Sequence, residues 1–360
     1  MLGAKDGAGG RFPVIFWFIA IAALACWGIR LQRHGFREDF LSADSAAMLN
    51  GISILLVFTQ HLGHVLLARM GYGMDGFGDA AYKSAVLSIQ QLLVVSFLFF
   101  SGFGVMEQIG KRGESYVAEF PRRRIFRVWV NFAAAVCVFA AVHLVFRTGV
   151  PLRRMVASLT CFRSINNPSW YVFCILWCYA STYVAVRLSR GRGKFAKLCL
   201  IGFFTAAYIA LICWMMPKKP WWYNTVMAYP FGAAVSLCRE RIFGFIRKWY
   251  WPCLALSAAV FIWIYNFHFE RYGLRHNALS CAFIALVVIL TMKVRVGNPV
   301  LHWCGRHVFP IYMYHCLFFL LARCLYHGAM TPFAAHVIVA LTLLPSLVLA
   351  HFYHHFEIRP

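Results

Sequence analysis

Long apolar runs decide what this chain can become. A helix that crosses the hydrocarbon core of a bilayer needs about 20 mostly apolar residues. About eleven such runs follow one another, at roughly 12–31, 46–69, 86–109, 125–147, 168–188, 196–216, 220–238, 250–267, 276–292, 307–326 and 332–352. No stretch between them is long enough for a soluble domain, and there is neither an internal repeat nor a low-complexity segment. Hydrophobic residues make up 61% of the 360 and charged residues only 13%, about half the roughly 25% of globular chains. That leaves too little polar surface to cover a soluble core. The sequence therefore predicts an all-α integral membrane protein, with an extra amino-terminal helix and linker at 1–45 and a transmembrane domain at 46–360.

The 35 Lys and Arg against 12 Asp and Glu give a net charge of +23. In a soluble protein this would suggest nucleic acid, but here the bases sit between apolar runs, where they orient helices, and no nucleic-acid partner is expected. Alternate connections are rich in bases: Arg30, Arg33 and Arg37; Lys111, Arg112 and Arg122–Arg124; Arg190, Arg192 and Lys194; Arg239, Arg241, Arg247 and Lys248; Lys293, Arg295 and Arg306. The intervening ones are poorer, with Lys83, then Arg153, Arg154 and Arg163, then Lys218 and Lys219, then Arg271 and Arg275. The positive-inside rule then puts the amino terminus outside and the carboxyl terminus in the cytoplasm. Lys5 and Arg11 precede the first run, and Ala23-Leu24-Ala25 resembles a signal-peptidase site. Cleavage there would leave Arg30, Arg33 and Arg37 outside, against the other loops, so a retained helix is expected. The 13 cysteines include no Cys-x-x-Cys pair and fall mostly in apolar runs, so buried small hydrophobes are expected rather than disulfides or a metal.

Ionisable groups inside spans are costly and so become candidates for function. His61 and His64 lie one turn apart in the second run. Counting from Ala46, His61 is roughly 22 Å from the cytoplasmic end. Its imidazole suits acid–base work at neutral pH; the plainer alternative is a histidine satisfied by a neighbouring carbonyl. His315 in Pro310-Ile-Tyr312-Met-Tyr314-His315 poses the same choice. Arg122, Arg123, Arg124 and Arg127 open the fourth run behind Pro121. Arg124 and Arg127, three apart, share a helix face and suit phosphate, although a stop-transfer cluster on anionic headgroups would look alike. The final His351-x-x-His354-His355 resembles one box of the membrane di-iron oxygenases, yet no companion His-His box exists to complete such a site.

In order along the chain, these pieces resemble the acyltransferase-3 family of integral-membrane O-acyltransferases. Asn50-Gly51-Ile52 leads to His61 at the spacing of that family's first core helix. Phe97-Leu98-Phe99-Phe100-Ser101-Gly102-Phe103 is similar to its Phe-Phe-x-x-Ser-Gly-Phe, and Arg124-x-x-Arg127 to the Arg-x-x-Arg that follows. Ser169-Trp170-Tyr171, Gly305-Arg306 through Tyr312-x-Tyr314-His315, and Glu357-Ile358-Arg359-Pro360 complete the resemblance from about 46 to 360. Asn50 departs from the pattern, standing where the family usually has a basic residue.

The resemblance implies a ten-helix core with both ends cytoplasmic; an appended esterase-like domain is not expected. It also implies acyl-CoA, with acetyl-CoA favoured, as donor co-substrate and a cell-surface glycan or lipid-linked sugar as acceptor, in the bacterial inner membrane. His61, Glu357 and His315 are then the expected catalytic groups. Arg122, Arg123, Arg124 and Arg127 would hold the CoA phosphates, with Ser101 and Trp170 shaping the tunnel. A proton-coupled transporter or flippase of a cell-envelope precursor is the rival reading.

Overall fold

A computed structural model describes residues 14–73, 76–267 and 273–360; Lys5, Arg11 and Arg271 lie outside these. Sixteen helices follow in chain order. They are α1 Ile15–Cys26, α2 Ala43–His61, α3 Phe77–Ile89, α4 Leu92–Arg112, α5 Glu114–Phe120, α6 Arg127–Val145, α7 Leu152–Ser158 and α8 Ser169–Leu188. After them come α9 Lys194–Ala210, α10 Ala228–Leu237, α11 Arg239–Lys248, α12 Tyr250–Phe267, α13 Leu274–Thr291, α14 Pro299–Arg306, α15 Val308–Leu325 and α16 Pro332–Phe352. The only strands among the described residues, β1 Arg30–Leu31 and β2 Val294–Arg295, pair antiparallel. The protein is an all-α, multi-pass membrane protein. Among the described residues, eight helical segments are long and apolar enough to cross a bilayer, and Ile15–Cys26, Ala228–Leu237 and Tyr250–Asn266 are shorter apolar helices.

Several boundaries differ from the sequence expectation. The run at 86–109 is broken: α3 stops at Ile89 and α4 starts at Leu92. Gln90 between them takes a left-handed φ of 41°. The fourth run does not begin at its arginines. Helix starts at Glu114 and passes through a π turn over Pro121–Phe126, in which Arg127 N donates to Arg122 O. Pro121 has no N–H to give to the ladder, and a wider turn absorbs the loss. The run at 220–238 becomes a short 3-10 turn at Pro220–Trp222 followed by α10.

Glycines fix the closest helix contacts. A Cβ on Gly102 would overlap Tyr229 O, and one on Gly232 would overlap Phe99 O. Only bare backbone allows α4 and α10 to approach this closely. In the same way Gly51 faces Leu301 O and Gly305 faces Ala47 O, joining α2 to α14. Between these two pairs α2 meets α4 through Ser53 Oγ and Ser96 Oγ, 2.9 Å apart. Outside the membrane-spanning helices, Arg37 donates to Asp39, Ser45 Oγ, Thr291 O and Val294 O. Its guanidinium holds the Asp39 carboxyl below the usual range.

Candidate active site

His61 closes α2. Beyond it the helix widens into a π turn, Leu62–Leu67, of the kind that often marks a functional site. The cause is local: Tyr82 lies against Gly63, where any Cβ would overlap its ring, and donates its hydroxyl to Thr59 O. His315, fully buried on α15, faces His61. The two rings lie 18° from parallel and meet edge to edge, with centroids 5.1 Å apart and His61 Nδ1 2.8 Å from His315 Nε2. His64 is exposed and packs edge-on to His61 at 5.7 Å.

Hydrogen-bond bookkeeping sets the tautomers of the neutral pair. His315 Nδ1 lies 2.9 Å from Ile311 O. A carbonyl only accepts, so Nδ1 carries the proton and Nε2 presents a lone pair. His61 Nδ1–H then donates to that lone pair, and His61 Nε2 is left unprotonated. Cys316 Sγ, 3.3 Å from the same His315 nitrogen, is a weaker second donor. His61, His315 and Cys316 are also the one group of candidate metal ligands close enough to share an ion among the described residues. Two imidazoles on a tetrahedral zinc at ~2.0–2.1 Å would hold their nitrogens roughly 3.3 Å apart. The observed 2.8 Å is a hydrogen-bond separation instead.

A cavity of about 650 Å³ opens at the end of the bundle that carries the arginine cluster, hereafter the arginine end. Arg123, Arg124, Arg127, Arg306, Glu357 and Arg359 line its mouth; Asn50, Phe97, Ser101, Tyr171 and Tyr312 line it further in. A second cavity of about 610 Å³ adjoins it, sharing Asn50, Phe97, Ser101, Arg124, Gly305 and Arg306. Neither histidine of the pair lines either space. Tyr312 stands between: its ring centroid is 5.4 Å from Tyr171 on one side and 6.2 Å from His315 on the other. Two buried polar atoms in the lining, Asn50 Oδ1 and Tyr312 Oη, have no hydrogen-bond partner. Buried groups of this kind ordinarily find one, which leaves them available to a guest.

The arginines hold different posts. Arg124 donates through Nε to Tyr116 Oη at 3.0 Å, leaving its terminal nitrogens uncommitted. Arg127 is already clasped, with Nε and Nη2 on Glu357 Oε1 at 3.1 and 2.6 Å. Arg359 takes the other carboxylate oxygen at 3.0 Å. Arg123 pairs with Glu119 while also lining the mouth, and Arg122 is exposed and lines neither cavity. Ser101 lines both cavities, whereas Trp170 lines neither and packs edge-on to Tyr171. The structure thus brings His61 to His315, and Glu357 to Arg127, at opposite levels of the bundle.

Asn131, not singled out from the sequence, docks the final residues on α6. It donates to Arg127 O and Ile358 O and accepts from Tyr353 Oη and Ile358 N. A lone amide in the apolar stretch Val130–Val145 was a readable signal. His351, His354 and His355 sit at the arginine end of α16, remote from the His61 pair. His354 lines the mouth of the first cavity.

The arginine-lined cavity thus reaches into the helical bundle as far as Tyr312, one ring short of the histidine pair. The family model described as "Acyltransferase domain" matches residues 48–351. The chain belongs to the acyltransferase-3 family and is a membrane acyltransferase. No curated protein and no solved structure matched it.

Proposed function

We propose that this protein moves an acyl group, acetyl in the favoured case, from cytoplasmic acyl-CoA to a hydroxyl of an extracytoplasmic glycan or glycolipid. Its place would be the bacterial inner membrane, with the arginine end toward the cytoplasm, as the distribution of bases favours. The observation that carries the reading is the hydrogen-bonded chain Ile311–His315–His61, which leaves His61 Nε2 as a lone-pair base, with Tyr312 between the pair and the arginine-lined cavity.

CoA phosphates meet Arg124 and the neighbouring guanidiniums at the mouth, where the fork geometry suits them. The thioester arm passes inward along Ser101 toward Tyr312. From Val308, which lines the cavity at the start of α15, to His315 the rise is roughly 10 Å at 1.5 Å per residue, a span for a slender chain rather than a nucleotide. His61 Nε2 takes the proton of the acceptor hydroxyl, and the oxygen forms a bond to the thioester carbonyl carbon. The carbonyl electron pair moves onto oxygen, where the unpartnered Tyr312 hydroxyl can donate to it. Collapse breaks the C–S bond, and the departing thiolate takes the proton back from His61 Nε2. His315 touches no reacting atom; it positions His61 and fixes its tautomer.

The deciding experiment is single-turnover transfer from radiolabelled acetyl-CoA by purified protein supplied with a glycan acceptor. Labelled ester on the sugar, lost in His61→Ala, supports the reading. No consumption of acetyl-CoA under any acceptor condition removes it.

A further inference from the structure

At the end opposite the arginine cluster lies a separate cavity of about 510 Å³, formed where α6, α15 and the turn after α2 finish. Arg69, Arg323, His143, Asn166, Tyr326 and His327 are among its lining residues, and no carboxylate is. Neither Arg69 nor Arg323 makes an ion pair or hydrogen bond among the described residues.

The placement of the two arginines is the central observation. Arg69 follows His61 by eight residues, and Arg323 follows His315 by eight. Arg323 therefore stands roughly 12 Å along α15 from His315, while Arg69 follows His61 through the π turn Leu62–Leu67 and a 3-10 turn at Ala68–Met70. Helical side chains lean toward the amino terminus, which shortens that distance. The cavity wall is also built to last. His143, 2% exposed, has Nε2 2.9 Å from Ile165 O, so that nitrogen donates and Nδ1 accepts from the Thr148 hydroxyl. These bonds pin both loops that follow α6 and α7. Asn166, held at φ 74° beside them, sets its side-chain amide 3.3 Å from His143 Nε2. The lining is thus rich in donors and in positive charge that no described carboxylate in it offsets.

The whole of this end is basic in the same sense. Lys83, Arg147, Arg153, Arg154, Arg163, Lys218, Lys219 and Arg275 join the two cavity arginines. The one carboxylate there among the described residues, Asp79, is buried against Val14 N and Tyr72 Oη. Bases on a face that the positive-inside rule would empty of them need a partner to explain their presence.

We infer that this cavity is the acceptor subsite and that it takes the anionic group, carboxylate or phosphate, of an acidic sugar whose hydroxyl reaches His61. The inference rests on the acyltransferase reading for its purpose, but binding tests it without turnover. The experiment measures binding of glucose, glucuronate and glucose 6-phosphate to the detergent-purified protein by calorimetry, for wild type, Arg69→Gln, Arg323→Gln and Arg323→Lys. At least one anionic sugar binds ten-fold or more tightly than glucose; each Gln variant loses several-fold of that advantage, Arg323→Lys loses less, and acetyl-CoA affinity stays the same. Which anion wins separates carboxylate from phosphate. Equal binding of all three sugars overturns the inference, as do Gln variants that keep the preference or lose only bound phosphatidylglycerol. Anionic-sugar preference without acyl transfer would sink the transferase reading and leave the subsite standing. Transfer without preference does the reverse.

Discussion

His61 Nδ1 and His315 Nε2 lie 2.8 Å apart, and the hydrogen between them belongs to His61. Ile311 O dictates this from the far side of His315. His61→Ala should therefore lower transfer ~10²–10⁴-fold, the usual cost of losing a general base. His315→Ala should leave a smaller residue of activity than His315→Gln, because a glutamine carbonyl can accept from His61 Nδ1. Matched kcat values for these two His315 variants, in protein of equal thermal stability, would remove the positioning role.

Tyr312 offers a hydroxyl with no partner at the inner end of the cavity. Tyr312→Phe deletes only that oxygen and fills the same space. If the hydroxyl meets the oxyanion, kcat drops ~10²–10³-fold with KM little changed. A variant with wild-type kcat, measured under saturating acetyl-CoA, would send Tyr312 back to a packing role.

The arginines at the mouth should respond differently to the same substitution. Arg124 has free terminal nitrogens, so Arg124→Lys keeps charge but loses the fork and should weaken acetyl-CoA binding several-fold. Arg127 is engaged by Glu357. Arg127→Gln and Glu357→Gln should therefore couple in a double-mutant cycle, by roughly 0.5–3 kcal/mol in stability. Additive changes in Tm-derived stability would show the ion pair to be ornamental.

Topology can be checked without any assay of chemistry. Reporter fusions after Gly110 and Arg192 should read cytoplasmic, and those after Gly73 and Lys219 external. An external signal at Gly110 would place the arginine end away from cytoplasmic CoA and end the donor assignment.

How far the sequence could be read depends on the range of each interaction. His61 was legible because a titratable ring in an apolar run contradicts its surroundings, as does His64 one turn on. Its partner sits 254 positions away, and helical periodicity carries no information over that distance. Arg124 and Arg127 looked equivalent from their three-residue spacing. Tyr116 and Glu357 distinguish them, the latter from 230 positions away. The helix starting at Glu114 was hidden because Pro121 reads as a beginning, whereas a π turn lets it stand inside a longer helix. The break at Gln90 has no Gly or Pro in the sequence to announce it.

The glycine contacts have a mechanical consequence. With Gly51 and Gly305 locking α2 to α14, and Gly102 and Gly232 locking α4 to α10, each pair moves as a plank whose backbones cannot slide apart without losing contact. Asn50 belongs to one plank and Ser101 to the other, so the donor route runs along the seam. Widening that passage for a bulkier acyl chain has to come from shear between planks, resisted by the Ser53–Ser96 hydrogen bond and the apolar packing of α2 on α4 around it. Chain-length selectivity would then reside in the stiffness of a joint as much as in the shape of a pocket.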